Sequence, residues 1–181
     1  MRRELDRLNA KWQREKKPTF KQGIGIHYGD AIVGNIGSPE KMEFAMIGDA
    51  VNTASRVEGL TKQFGAELVV TKELTENITE SDKLLLKPLP YVKVKGRSQS
   101  LVIYDVIRSN RIELWNSYKD EYLIGLKSFT DGEFEDAVYY FDRCRAAAPA
   151  DGAVATMVEG SQAFVRHPPK KWSGVIAMEN K

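Results

Sequence analysis

The hydrophobic and polar positions of this chain change their period twice, and each change marks a new kind of element. Over residues 2–17, Leu5, Leu8 and Trp12 recur at helical spacing among charged neighbours, which predicts an amphipathic helix ended by Pro18. From Phe20 the period shortens to two. Ile24, Ile26 and Tyr28 alternate with Gly and His, and Ala31-Ile32-Val33 resumes beyond the Gly29-Asp30 turn, closed by Gly34 and Gly37-Ser38-Pro39. Phe44-Ala45-Met46-Ile47 is wholly apolar and predicts a short buried strand. Gly48-Asp49 then opens a helix over 49–63 with Asp49 as its N-cap, and Gly65 closes it. Leu68-Val69-Val70 predicts a strand, and Thr71 caps a short helix after it. Three further strands are expected over 84–86, 91–94 and 101–107, with Pro88, Pro90 and Gly96 between them.

After Ser109 no strand is expected, and helical patterns cover 112–129, 132–147 and 151–166. Mixed strands and helices through residue 108 make an α/β or α+β layer, and the chain divides as 1–108, 109–167 and a tail over 168–181. The helical stretch is expected to bury its own stripe by local contacts. Gly125, Ala137, Phe141 and Pro149, with a break at Asp131-Gly132, fall on the small, aromatic and terminating positions of the 34-residue tetratricopeptide unit. Glu121 occupies the usual Trp position of that unit, and a plain helical hairpin is the other reading. Cys144 falls at a small-residue position of the second helix, where it packs.

Composition narrows the function classes. The 181 residues are 42% hydrophobic and 29% charged, the balance of a globular chain with enough apolar surface to offset chain entropy. No run approaches the ~18 apolar residues of a membrane span, and Met1-Arg2-Arg3-Glu4 does not begin a signal peptide. A cytoplasmic location is the expectation. The net charge of +2 argues against a nucleic-acid partner, and the basic excess over residues 1–17 fits a solvated helix face. One cysteine, Cys144, excludes an intrachain disulfide and a multi-cysteine zinc site. His27 and His167 are too scattered for a His-based metal site, and His27 is expected to be packed or hydrogen-bonded.

The chemistry concentrates in residues 44–56. On a helix starting near Asp49, at about 100° per residue, Ala50, Ala54, Val57, Thr61 and Phe64 share one side, while Asn52 and Arg56 fall together opposite. An amide beside a permanent guanidinium suits a phosphate ester, but on the residues alone a merely solvated polar pair is the favoured reading. The glycines at 23, 25, 29, 34 and 37 match neither a P-loop nor a dinucleotide fingerprint, and are expected to permit turns and close strand packing.

Several motifs then fall in one order: Gly23-Ile-Gly-Ile-His27-Tyr-Gly29, Val33-Gly-Asn-Ile-Gly-Ser38, Ile47-Gly-Asp-Ala-Val-Asn-Thr-Ala-Ser-Arg56, and Val94-Lys95-Gly96 before 101–106. Across residues 20–107 the chain resembles the C-terminal part of the class III nucleotidyl cyclase catalytic domain, the adenylate and guanylate cyclases. Trp172-Ser-Gly-Val175 after Pro168-Pro169 is similar to segments that follow this domain in multidomain bacterial members, which often carry membrane-bound sensors upstream.

The resemblance implies a ferredoxin-like domain that converts ATP or GTP to the 3′,5′-cyclic monophosphate and pyrophosphate in intracellular signalling. It implies that Asn52 orients the ribose, that Arg56 stabilises charge on the α-phosphate, and that Lys95 contacts the terminal phosphates. Ala45 stands where the family reads the purine with a polar side chain; it can donate and accept nothing there, so no base preference is implied. The family uses two Mg or Mn ions held by a pair of aspartates, which are expected to lie upstream of residues 2–17 and outside this chain. Asp30 and Asp49 are not those ligands, and no metal-binding residue is assigned. Because the family's site forms between two chains, the implied partner is another cyclase chain. The alternative is a catalytically inert interaction or regulatory module working through the helical tail.

Overall fold

The structure is a computed structural model that describes residues 1–38, 40–79, 85–94 and 99–178. Helix α1 (Arg2–Arg14) comes first, then strands β1 (Ile24–Ile26), β2 (Ile32–Ser38) and β3 (Lys41–Ile47). Helix α2 (Asp49–Gln63) leads into β4 (Leu68–Thr71) and the single turn α3 (Lys72–Thr75). Strands β5 (Leu86–Pro88), β6 (Tyr91–Lys93) and β7 (Ile103–Val106) complete the α+β part. Helices α4 (Ile112–Asp131), α5 (Phe134–Ala147) and α6 (Gly152–Arg166) follow, and β8 (Val175–Ala177) comes last.

The central sheet has the order β1-β4-β7-β5. Strands β1 and β4 run parallel with Gly25 opposite Val69, so α2 forms the crossover between them. Strand β7 is antiparallel to both β4 and β5. Among the described residues, strands β2 and β3 pair only with each other, with Gly34 opposite Ala45.

Several expectations are corrected. Helix α1 stops at Arg14, because Lys16 takes a positive φ of 55° before Pro18. The N-cap of α2 is Gly48 rather than Asp49, in an extended conformation (φ 152°, ψ 165°) open essentially to glycine alone. Thr71 gives α3 no side-chain cap, since its hydroxyl engages His27 instead. Residues 44–47 do form strand, but Phe44, Met46 and Ile47 are exposed, because no third strand or helix covers the β2–β3 hairpin among the described residues. A strand does follow residue 109: β8 pairs in parallel with β6, Val92 opposite Ile176. Leu84, read as strand, lies outside the described residues.

The helical stretch does not bury its stripe by local contacts alone. One buried cluster runs from Val57, Phe64, Val69 and Ile103 into Trp115, Tyr122, Phe141 and Met157. Gly125 lets α4 approach α5, where a Cβ would meet the Phe141 ring at 3.2 Å. Trp172 packs on Phe129, Phe134 and Phe164, and its indole N–H donates to the Phe129 carbonyl at 3.0 Å, fastening the tail to the helices. Among the described residues no helix is long and apolar enough to cross a membrane.

Candidate functional site

Helix α2 carries the candidate phosphate-binding pair, and β1 sets how closely it lies on the sheet. A Cβ added at Gly25 would come within 2.2 Å of the Glu58 backbone nitrogen. At Gly23 it would meet the Thr61 hydroxyl at 1.9 Å. Any side chain at either position would therefore lift the helix. The buried residues of α2 are Thr53, Val57, Leu60 and Thr61, with Phe64 just beyond. This face is rotated from the expected one toward Asn52 and Arg56, leaving Ala50 and Ala54 half-buried. Asn52 is consequently exposed and Arg56 half-buried on its flank. Neither side chain forms a hydrogen bond or ion pair among the described residues.

Ala45 is half-buried on β3, three residues before the Gly48 turn, and its strand runs straight into the helix that holds Asn52. Lys95 lies outside the described residues, so the structure brings together three of the four assigned positions on one β3–turn–α2 segment and says nothing of the fourth. His27 is packed: its Nδ1 is 2.8 Å from the Thr71 hydroxyl and its side chain is 5% exposed.

The divalent ions that the resemblance implies need several oxygen ligands at one point. Among the described residues no three His, Cys, Asp or Glu side chains converge to supply them. The described residues therefore offer no such cluster, and no step below runs through the metal.

A second polar cluster escaped the sequence reading. Lys87 on β5 is fully buried, with Nζ 2.5 Å from the Asp151 carboxylate and 4.6 Å from the centre of the Tyr122 ring. The Tyr118 hydroxyl donates to the same carboxylate at 2.5 Å, and Asp151 also accepts from the Val154 backbone N–H as the N-cap of α6. Burial raises the Asp151 carboxyl, but the Lys87 charge and these hydrogen bonds outweigh it, so the group lies below its ordinary value. Burial pulls the Lys87 ammonium down, opposed by Asp151. Asp105, opposite Lys87 across the β5–β7 ladder, is pushed up to about 6, chiefly by burial. The signal was present: a lone lysine inside Leu84-Leu85-Leu86-Lys87-Pro88-Leu89 needs a buried partner. Asp105, Trp115, Tyr118 and Asp151 line a cavity of about 180 Å³ that includes neither Asn52 nor Arg56.

The family described as the adenylate and guanylate cyclase catalytic domain matches residues 4–107. An adenylate cyclase of Anabaena cylindrica is 40% identical over 90 residues, 49% of this chain and 18% of that protein. A terminal-differentiation-specific adenylate cyclase of Dictyostelium discoideum is 34% identical over 133 residues, 71% of this chain and 6% of its own length. A solved bacterial light-regulated adenylyl cyclase, 33% identical, superposes with a TM-score of 0.40, covering 46% of this chain and 23% of that one. The chain spans less than a fifth of the length of these curated relatives.

Proposed function

Residues 4–107 place this chain in the adenylate and guanylate cyclase catalytic-domain family, and from that premise we propose that it supplies the transition-state half of a nucleotidyl cyclase site. The observation that carries the reading is the Asn52–Arg56 pair. Both residues stand one turn apart on a helix pinned to the sheet, and neither is engaged by another side chain among the described residues. In the proposed reaction the 3′-hydroxyl of a purine nucleoside triphosphate releases its proton to solvent, and its oxygen bonds to the α-phosphorus as the bond to pyrophosphate breaks. Charge grows on the non-bridging oxygens, and the permanent positive charge of the Arg56 guanidinium stabilises it. Asn52 would hold the ribose so that the attacking oxygen lies in line. Lys95 would hold the terminal phosphates.

Any ligands for Mg or Mn are proposed to come from another part of the cyclase assembly. A second cyclase chain is the proposed partner, and the uncovered β2–β3 hairpin supports that reading. Residues 112–147 are proposed as one tetratricopeptide-like unit, supported by the close approach of Gly125 to Phe141.

The test is turnover in an active cyclase assembly containing this chain. Asn52→Ala and Arg56→Ala should each lower kcat by about 10²–10³ with the fold unchanged by circular dichroism. Ala45→Asp should raise the preference for ATP over GTP. Near-parental turnover in either α2 variant would overturn the reading.

A further inference from the structure

The end of α2 opposite Asn52 is held by the helical segment. Gly65, which turns the chain out of α2 with a φ of 58°, lies backbone to backbone against Gly152, the first residue of α6. A Cβ on Gly152 would stand 2.6 Å from the Gly65 Cα and 3.0 Å from the Phe64 carbonyl oxygen. Four residues on, the Thr156 hydroxyl donates to the Gln63 carbonyl at 2.8 Å. That carbonyl is one of the last four of α2, which have no partner within the helix. Asp151, directly before Gly152, is in turn fixed to β5 by Lys87. Three independent contacts therefore tie the N-terminal end of α6, residues 151–156, to the helix that carries Asn52 and Arg56 and to the sheet beneath it.

We propose that this N-terminal end of α6 is a positioning element of the cyclase site, so that the placement of the helical segment sets the placement of Asn52 and Arg56. The proposal rests on the cyclase reading above for its functional consequence, though not for its structural one. Helix α2 moves as a rod: Asn52 and Gln63 are eleven residues apart, about 16 Å along its axis. The rod rests on β1 near Gly25, so a displacement at its Gln63 end is passed to its Asn52 end. A misplacement of about 1 Å at a reacting group can cost about 10²-fold in rate. The helical segment thereby offers a route by which a partner bound to α4–α6 changes turnover without touching the nucleotide.

Hydrogen exchange on the full chain reads the structural step directly. Thr156→Val removes the hydroxyl while keeping the side chain's shape. Gly152→Ala suits a helix backbone yet forces α6 away from Gly65. Both should speed exchange of the amides at the C-terminal end of α2 by about fivefold, with β7 and α5 unchanged. Thr156→Ser, which keeps the hydroxyl, should exchange like the parent. If Gly152→Ala does not fold, the Thr156→Val and Thr156→Ser pair decides by the same criterion. Unchanged α2 exchange, or an equal rise in every element, would overturn the proposal.

In an active assembly containing the chain, Gly152→Ala and Thr156→Val should lower kcat with KM near the parental value. If Asn52→Ala cripples turnover while both positioning variants leave it intact, the inference falls and the cyclase reading stands. If Asn52→Ala changes nothing, the cyclase reading falls, and the exchange result alone decides the coupling.

Discussion

Lys87 Nζ lies 2.5 Å from the carboxylate of Asp151, a residue 64 positions later in the chain, with 1% of the lysine side chain exposed. The contact joins β5 to α6 and sits beneath the rings of Trp115, Tyr118 and Tyr122. Breaking it from one side leaves a buried charge without its counter-ion, so Lys87→Met should cost about 3–5 kcal/mol in urea denaturation. Asp151→Asn keeps an oxygen to cap α6 while removing the charge. The double variant Lys87→Met/Asp151→Asn should therefore recover much of the loss of the single lysine variant. Additive costs would show that the two side chains do not act as a pair.

Asp105 gives the fold a pH dependence of its own. Burial holds its carboxyl at about 6, against 3.8 for an unburied group, so the folded state favours the protonated form. That contribution is fully present below the unfolded-state value and is lost as pH rises through about 6. Its size is on the order of 2–3 kcal/mol. Asp151, held below its ordinary value, acts in the opposite sense and loses stability only as pH falls through its lowered value. Asp105→Asn should remove the decline between pH 4 and 6. Denaturation at pH 4 and pH 8 would find the variant close to the parent at the lower pH and more stable at the higher. An unchanged slope would show that Asp105 is not the titrating group.

Much of this was legible because it is local. Asn52 and Arg56 share a face by helical arithmetic, and the helix ends are marked by Gly48 and Gly65. The burial of Phe44–Ile47 was misread because an apolar run announces a demand for cover and does not say which element meets it. Lys87 was passed over for the complementary reason: its partner lies in another region of the chain, and no short window contains both. Strand β8 depends on pairing with β6, about eighty residues away, which three residues of sequence do not encode.

The seat of α2 on β1 has a simple test. Gly25 faces the backbone of Val57 and Glu58, where an added Cβ would come within 2.7 Å of the Val57 carbonyl carbon, so no rotamer change relieves the overlap. Gly25→Ala should cost about 1–3 kcal/mol as an overpacked contact. It should also lower turnover in an active assembly, because the helix carrying Arg56 is lifted. Gly59→Ala is the control: nothing lies within 4 Å of a Cβ there, and alanine favours helix. That variant should match or exceed the parent in stability. Equal costs at the two positions would rule out close approach as the reason for Gly25.

The β2–β3 hairpin predicts how the chain behaves in solution. Met42, Phe44 and Met46 alternate along one face of β3, and Val33, opposite Met46, extends that face. Phe44 is 75% exposed and Met46 58%. A two-stranded hairpin is marginal by itself, and a contiguous apolar face with open strand edges invites another chain. Sedimentation equilibrium of the purified chain should therefore show self-association that strengthens with concentration. Phe44→Lys/Met46→Lys places two like charges on that face and should shift the chain toward monomer. The far-UV spectrum should be preserved, because neither residue belongs to the buried core. Raised salt would weaken the charge effect but leave the loss of apolar contact, so the double variant should remain less associated than the parent at high ionic strength. A parent that sediments as a monomer at all concentrations would mean that the hairpin's apolar face does not drive association.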